Sequence, residues 1–218
     1  MFMSSFNLII PDLRPHAAGS GQTAVEMLDS IDKHLLSCVN WPAFPYQPEV
    51  YFRIGHSGDH LYLKFLVREE SIRALETTIN GEVYKDSCVE FFVSFDGIHY
   101  YNFEFNCIGT PHVAYGESRH NRLQLPVALI RTISIHASLG NRAFDTMSGG
   151  FAWELLTIIP AGCFMFTPGL DLKGSHARAN FYKCGDELPV PHFVTWNPVR
   201  TPEPDYHRPE CFGTVRFG

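Results

Sequence analysis

From Trp41 to the C-terminus the apolar residues recur with a period of two, which commits most of the chain to β-strands. Val50, Phe52 and Ile54 alternate with Tyr51 and Arg53. Leu61, Leu63, Phe65 and Val67 alternate with Tyr62, Lys64 and Leu66. The intervening His56-Ser57-Gly58-Asp59 reads as a turn, so these two runs predict a hairpin. Further strands are expected at 88–95, 100–107, 111–115, 131–139, 151–159, 177–184 and 212–217, with one helical turn over Ser71–Glu76. Short strands at this spacing predict an all-β fold, an antiparallel two-sheet β-sandwich or jelly roll. Eighteen Phe and nine Tyr agree, since flat rings suit a pleated, half-buried surface.

One segment breaks the period. In residues 23–36, Val25, Leu28, Ile31 and Leu35 recur at three- and four-residue steps, and Thr23 with Glu26 forms a capping box. The expected organisation is a lead-in and helix over 1–39, packed on a sandwich over 40–218, with residues 1–22 irregular. A hydrophobic content of 45% excludes disorder. A net charge of −6 without a basic patch argues against nucleic acid, and no apolar run is long enough for a membrane-spanning helix. The N-terminus carries no signal peptide, which leaves a cytoplasmic protein and an exported one with its signal removed both open. Oligomeric state is not legible. The six cysteines form no CxxC and read as buried thiols. The eleven histidines form no HExxH, so no metal site is expected. No GxSxG, P-loop or dinucleotide fingerprint occurs, and no catalytic residue is assigned. Residues 185–211 hold six prolines and predict an extended loop, functional or packed over a sheet.

The most informative stretch is 84–107, YKDSCVEFFVSFDGIHYYNFEFNC. Val89, Phe91, Val93 and Phe95 share one face of its first strand, and Tyr101, Phe103 and Phe105 one face of its second. Matching the two apolar sets requires a connecting loop of odd length around Asp96-Gly97 and sets Glu90 opposite Glu104 and Phe92 opposite Asn102. Two opposed acids repel. A cation, a raised pKa on one acid or a network of donors has to offset this. Arg178 is a candidate, sharing one strand side with Asn180 and Tyr182. The face is either a solvated outer surface with interstrand salt links or a groove floored by carboxylates and amides. Such groups suit sugar hydroxyls, which donate and accept at once.

The strand tail Tyr84 to Glu90 followed by Phe91-Phe92-Val93, the polar-alternating 101–106, Trp153 in FAWELLTIIP, and Arg178-Ala179-Asn180-Phe181-Tyr182 occur in a suggestive order. So do His192 to Pro198 and Asp205 to Gly213. Together they resemble the family 9 carbohydrate-binding modules, within the DOMON-like β-sandwiches, over about residues 40–218. The likeness looks closest to an offshoot found in polysaccharide-using bacteria. It implies non-catalytic binding of a mono- or oligosaccharide, with a sugar ring clamped between two aromatic side chains. Carried over by position, the rings fall on Tyr84 and Trp196, the strand carboxylate on Glu90 and the partner-strand polar pair on Glu104 and Asn106. Arg178 and Asn180 complete the expected set. Two departures stand out: Tyr84 replaces the usual Trp, and Glu104 the usual Arg. Trp41 and Trp153 read as core residues. The family often holds structural calcium, yet Asp171, Asp186 and Glu187 are too scattered to form an acidic loop, so no cofactor is expected. Two other functions fit the same residues: a glycoside hydrolase or lyase auxiliary domain acting through Glu90 and Glu104, and a protein-interaction domain using the aromatic patch.

Overall fold

The computed structural model describes residues 7–14 and 23–218. Its strands are β1 (Asn7–Ile10), β2 (His34–Leu35), β3 (Cys38–Val39), β4 (Glu49–His56), β5 (His60–Ala74), β6 (Cys88–Ser94) and β7 (Tyr100–Asn106). They continue with β8 (Pro111–Gly116), β9 (Leu123–Gln124), β10 (Ser134–Ala137), β11 (Phe144–Pro160), β12 (His176–Cys184), β13 (Phe193–Thr195) and β14 (Gly213–Phe217). Two short helices, α1 (Ala24–Ser30) and α2 (Val127–Ile130), accompany them. The larger sheet runs β1-β14-β12-β6-β7-β8-β9, with β13 bonded to both β12 and β3. The smaller runs β10-β11-β5-β4-β2. Every pairing between these strands is antiparallel except β1 with β14. This is the expected all-β sandwich.

The inner faces meet as the alternation requires. Val89, Phe91 and Val93 of β6 and Tyr101, Phe103 and Phe105 of β7 join one core with Val50, Phe52 and Ile54 of β4 and Leu63 and Phe65 of β5. Phe52 stacks on Phe181 of β12 across the two layers, at 3.7 Å between centroids. Each such side chain, removed from water, contributes roughly 1.5–3 kcal/mol. The expected hairpin closes where Gly58 adopts a φ of 86°, open to glycine at little cost. In β11, Gly149 and Gly150 take positive φ beside a register shift against β5. The bulge bends the end of that long strand.

Three local expectations give way to tertiary pairing. The capping box of α1 forms as read, with Glu26 N–H donating to Thr23 Oγ1 and Thr23 N–H to Glu26. The helix nonetheless stops at Ser30, because Leu35 pairs with Tyr51 in β2 and the helical stripe spans two elements. Ser71–Ala74 extends β5 instead of making a helical turn. Ile72 and Ala74 fill the core there, and the N–H groups of Leu75 and Glu76 donate to the Asp86 carboxylate. Asn7–Ile10, expected in an irregular lead-in, is a strand. With β2 and β3 it ties the segment before residue 40 into both sheets. Of that lead-in, 1–6 and 15–22 lie outside the described residues. Among these, no helix is long and apolar enough to cross a membrane.

Candidate functional site

The hairpin register follows from the alternation. β6 and β7 are joined by residues 95–99, Glu90 pairs with Glu104, and Phe92 pairs with Asn102. The row extends across neighbouring strands, Tyr182 lying beside Glu90 and His112 beside Glu104. This outer face is not solvated. Trp41, Phe92, Tyr100, Tyr182, Tyr206 and Phe212 pack a second core on it, much of it beneath the proline-rich segment 185–211. Glu90 is 3% exposed and Glu104 is 6% exposed.

A cavity of about 260 Å³ lies over this row. β6 and β7 place Glu90, Asn102 and Glu104 along it, and β8 adds His112. The short 3-10 turn 83–85 brings Tyr84, and β13 brings Phe193. The loop before β9 sends in Arg119 and Arg122. Asp186 follows the end of β12, and residues 204–207 complete the wall.

The repulsion between the opposed acids is met by two of the three devices foreseen. Burial, reinforced by Glu104, pushes the Glu90 carboxyl well above the usual carboxylate range, against a lowering hydrogen bond from the Cys184 thiol. Glu104 is met by donors. Asn102 Nδ2 donates to it at 2.7 Å, while Asn102 Oδ1 accepts from Arg122 Nε at 2.9 Å. Arg122 is itself fixed by Ser118 O and Tyr100 O and lies over the Tyr100 ring. Burial raises Asp186 to about 6, with Arg119 opposing. Burial, and next the two arginines, hold His207 down to about 3, so it stays neutral. It shares a hydrogen bond with the Tyr100 hydroxyl.

Of the seven residues expected at the site, the structure brings together Tyr84, Glu90 and Glu104. Four lie elsewhere. Trp196 is 5% exposed and stands in the main core, edge-on to Phe52 and Phe181, so it cannot present a face to a ligand. Asn106 is buried. It donates to Glu76 O and Asp86 and accepts from the Thr110 N–H, bracing the end of β7. Arg178 pairs with Ser94 in register, away from Glu90, and donates to Glu210 O and Phe212 O. Asn180 donates to Asn197 O and accepts from its N–H, pinning the loop to β12. Trp41 and Trp153 are both buried, as read. Sequence reasoning missed Phe193, Asn102, Arg119 and Arg122. The alternation Phe193-Val194-Thr195-Trp196 could have assigned Phe193 to the outer face, because Val194 and Trp196 share the other. Nothing in the local pattern announces that the 117–122 loop folds back toward β7.

Among the described residues, one group of three metal-capable side chains has its ligand atoms within 4.8 Å of one another: Cys88, Glu90 and Cys184.

The model for "Carbohydrate-binding family 9" matches residues 21–217. The chain belongs to this family. A crystal structure from Bacteroides uniformis, described as that of a candidate carbohydrate-binding protein, is 37% identical with a TM-score of 0.91, covering 99% of this chain and 100% of that one. Two structures of a family 9 module from Caldicellulosiruptor kristjanssonii share the fold at 11% identity. The glucose complex has a TM-score of 0.62 and covers 98% of this chain and 96% of its own. The cellotriose complex has 0.61, covering 97% and 93%. No curated protein matches. On β7 Glu104 stands where the resemblance expects an arginine, and Arg122 reaches it through Asn102.

Proposed function

We propose that this family 9 domain binds a carbohydrate without turning it over, seating one sugar ring in the cavity above Glu90 and Glu104. The observation that carries this reading is the joint lining of one cavity by two half-buried rings, Tyr84 and Phe193, and a buried row of carboxyl and amide groups. A pyranose offers apolar C–H faces to aromatic rings and hydroxyls at its edge, so it suits both parts. A Glu90 carboxyl that keeps its proton can donate to one hydroxyl and accept from another. At about 260 Å³ the space falls just below the roughly 300–1,000 Å³ of drug-sized pockets and suits one ring rather than a chain. The sugars held by the Caldicellulosiruptor kristjanssonii module support the ligand class.

Hydrolysis fits less well. A glycosidase sets its two carboxyls on either side of the scissile bond. Glu90 and Glu104 stand side by side on one sheet face, beneath whatever occupies the cavity. Screening the purified chain on a glycan array, with product analysis of every hit, tests the reading. Saturable binding with the glycan recovered intact is expected. Product release, or no bound glycan at all, contradicts it.

A further inference from the structure

Cys88 and Cys184 are direct partners across β6 and β12, and Glu90 follows Cys88 on the same face. All three are buried, and their ligand atoms lie within 4.8 Å of one another. Cys184 Sγ is 3.2 Å and Cys88 Sγ 3.9 Å from Glu90 Oε1. In a tetrahedral zinc shell, bonds of about 2.3 Å to sulfur and 2.0–2.2 Å to oxygen put ligand atoms roughly 3.5–3.8 Å apart. The two sulfur–oxygen spacings bracket that range, and the sulfurs lie within 4.8 Å of each other. The Glu90 carboxyl is otherwise poorly served. Among the described residues its hydrogen-bond partners are these two thiols, which are weak donors, and Glu104 faces it.

We infer that Cys88, Cys184 and Glu90 form a binding site for a thiophilic divalent cation of the zinc class, at the floor of the cavity. Two sulfurs and one oxygen favour a borderline-soft ion over calcium or magnesium, which take all-oxygen shells. Glu90 and Cys184 line the cavity, which gives a water or ligand atom there access to the site. Binding forms two metal–sulfur bonds and one metal–oxygen bond and sends the thiol protons, with any carboxyl proton, to solvent. Affinity therefore rises with pH. The absence of CxxC is no obstacle, because the sheet register and not sequence spacing brings the sulfurs together. The inference does not require that the cavity take a sugar.

The test is a titration of the reduced, tag-free chain with Co²⁺ as a spectroscopic probe, followed by displacement with Zn²⁺, with Ca²⁺ and Mg²⁺ as separate arms. One equivalent of Co²⁺ should give a thiolate-to-cobalt charge-transfer band that Zn²⁺ abolishes and the hard ions leave alone. Cys88→Ser and Cys184→Ser should each lose or strongly weaken the band, while Cys38→Ser and Cys163→Ser keep it. Should either of the first two fail to fold, Glu90→Gln, close in shape to the protonated acid, serves in their place. It should retain thiolate absorption and lose at least about tenfold in affinity. No charge-transfer band in the wild-type chain overturns the inference, as does a band unchanged in Cys88→Ser and Cys184→Ser or an affinity unchanged in Glu90→Gln.

Discussion

Phe193 and Trp196 occupy one short stretch of chain and face opposite ways. Trp196 fills the space between the sheets against Phe52 and Phe181, and Phe193 faces the cavity. The resemblance to family 9 pointed to the Trp because a large ring in a proline-flanked loop looks like a platform. Its partner Val194 already marks the inward face, and strand alternation outweighs ring size as a guide to direction. Trp196→Ala should therefore act on stability. It should cost about 3–5 kcal/mol in denaturant unfolding, the range for emptying a large aromatic site in a core. A Trp196→Ala variant as stable as the parent would contradict this placement. Asn106, Arg178 and Asn180, expected at the site, instead bond backbone carbonyls, for a related reason. Outward parity showed that they lie on the polar face, but whether a polar group meets a ligand or a backbone carbonyl depends on loops whose course no local pattern encodes.

At the scale of elements, the β6–β7 hairpin was legible to the single residue. Two apolar sets had to coincide, and only one register does that. The end of α1 and the length of β5 were not legible, since each is decided by a distant partner: Tyr51 for Leu35, and β11 for Ser71 to Ala74. The loop before β9 belongs with these. Its hold on the site is Arg122, which bonds Ser118 O, Tyr100 O and Asn102 Oδ1. Arg122→Ala leaves those acceptors without their donor and frees Asn102 to turn from Glu104. The expected result is a loss of about 1–3 kcal/mol in stability, with faster amide exchange over residues 117–124. Unaltered exchange there would show that Arg122 does not anchor the loop.

Across the whole molecule, the sandwich and its membership of family 9 were readable because strand parity and motif order survive without exact contacts. The cavity was readable only in part, because its walls come from segments far apart in sequence. One consequence of gathering acids under a covering loop is global. A raised carboxyl pKa means that the folded chain keeps a proton which the unfolded chain has released. The contribution of Asp186 favouring the fold is thus full below its ordinary 3.8 and is lost as the pH climbs through about 6. That share should fall with rising pH across the window, opposed by His207, whose proton the unfolded chain binds there and the folded chain does not; Asp186→Asn should therefore gain stability relative to the parent as the pH climbs from 3.8 through about 6, and a difference between the two that does not change with pH would contradict the burial argument. The proposed sugar ring would lie against Tyr84 and Phe193, which line one cavity, and calorimetric titration of the best array ligand into the parent, Tyr84→Ala and Phe193→Ala tests this most directly. Stacking worth roughly 0.5–1.5 kcal/mol, with the lost contact area, predicts an affinity drop of about tenfold in each variant; because Phe193 also meets Trp41, Phe44 and Tyr206 edge-on, binding is measured at a temperature where each variant is shown to be folded. Parental affinity in both variants would show that these rings do not hold the ligand.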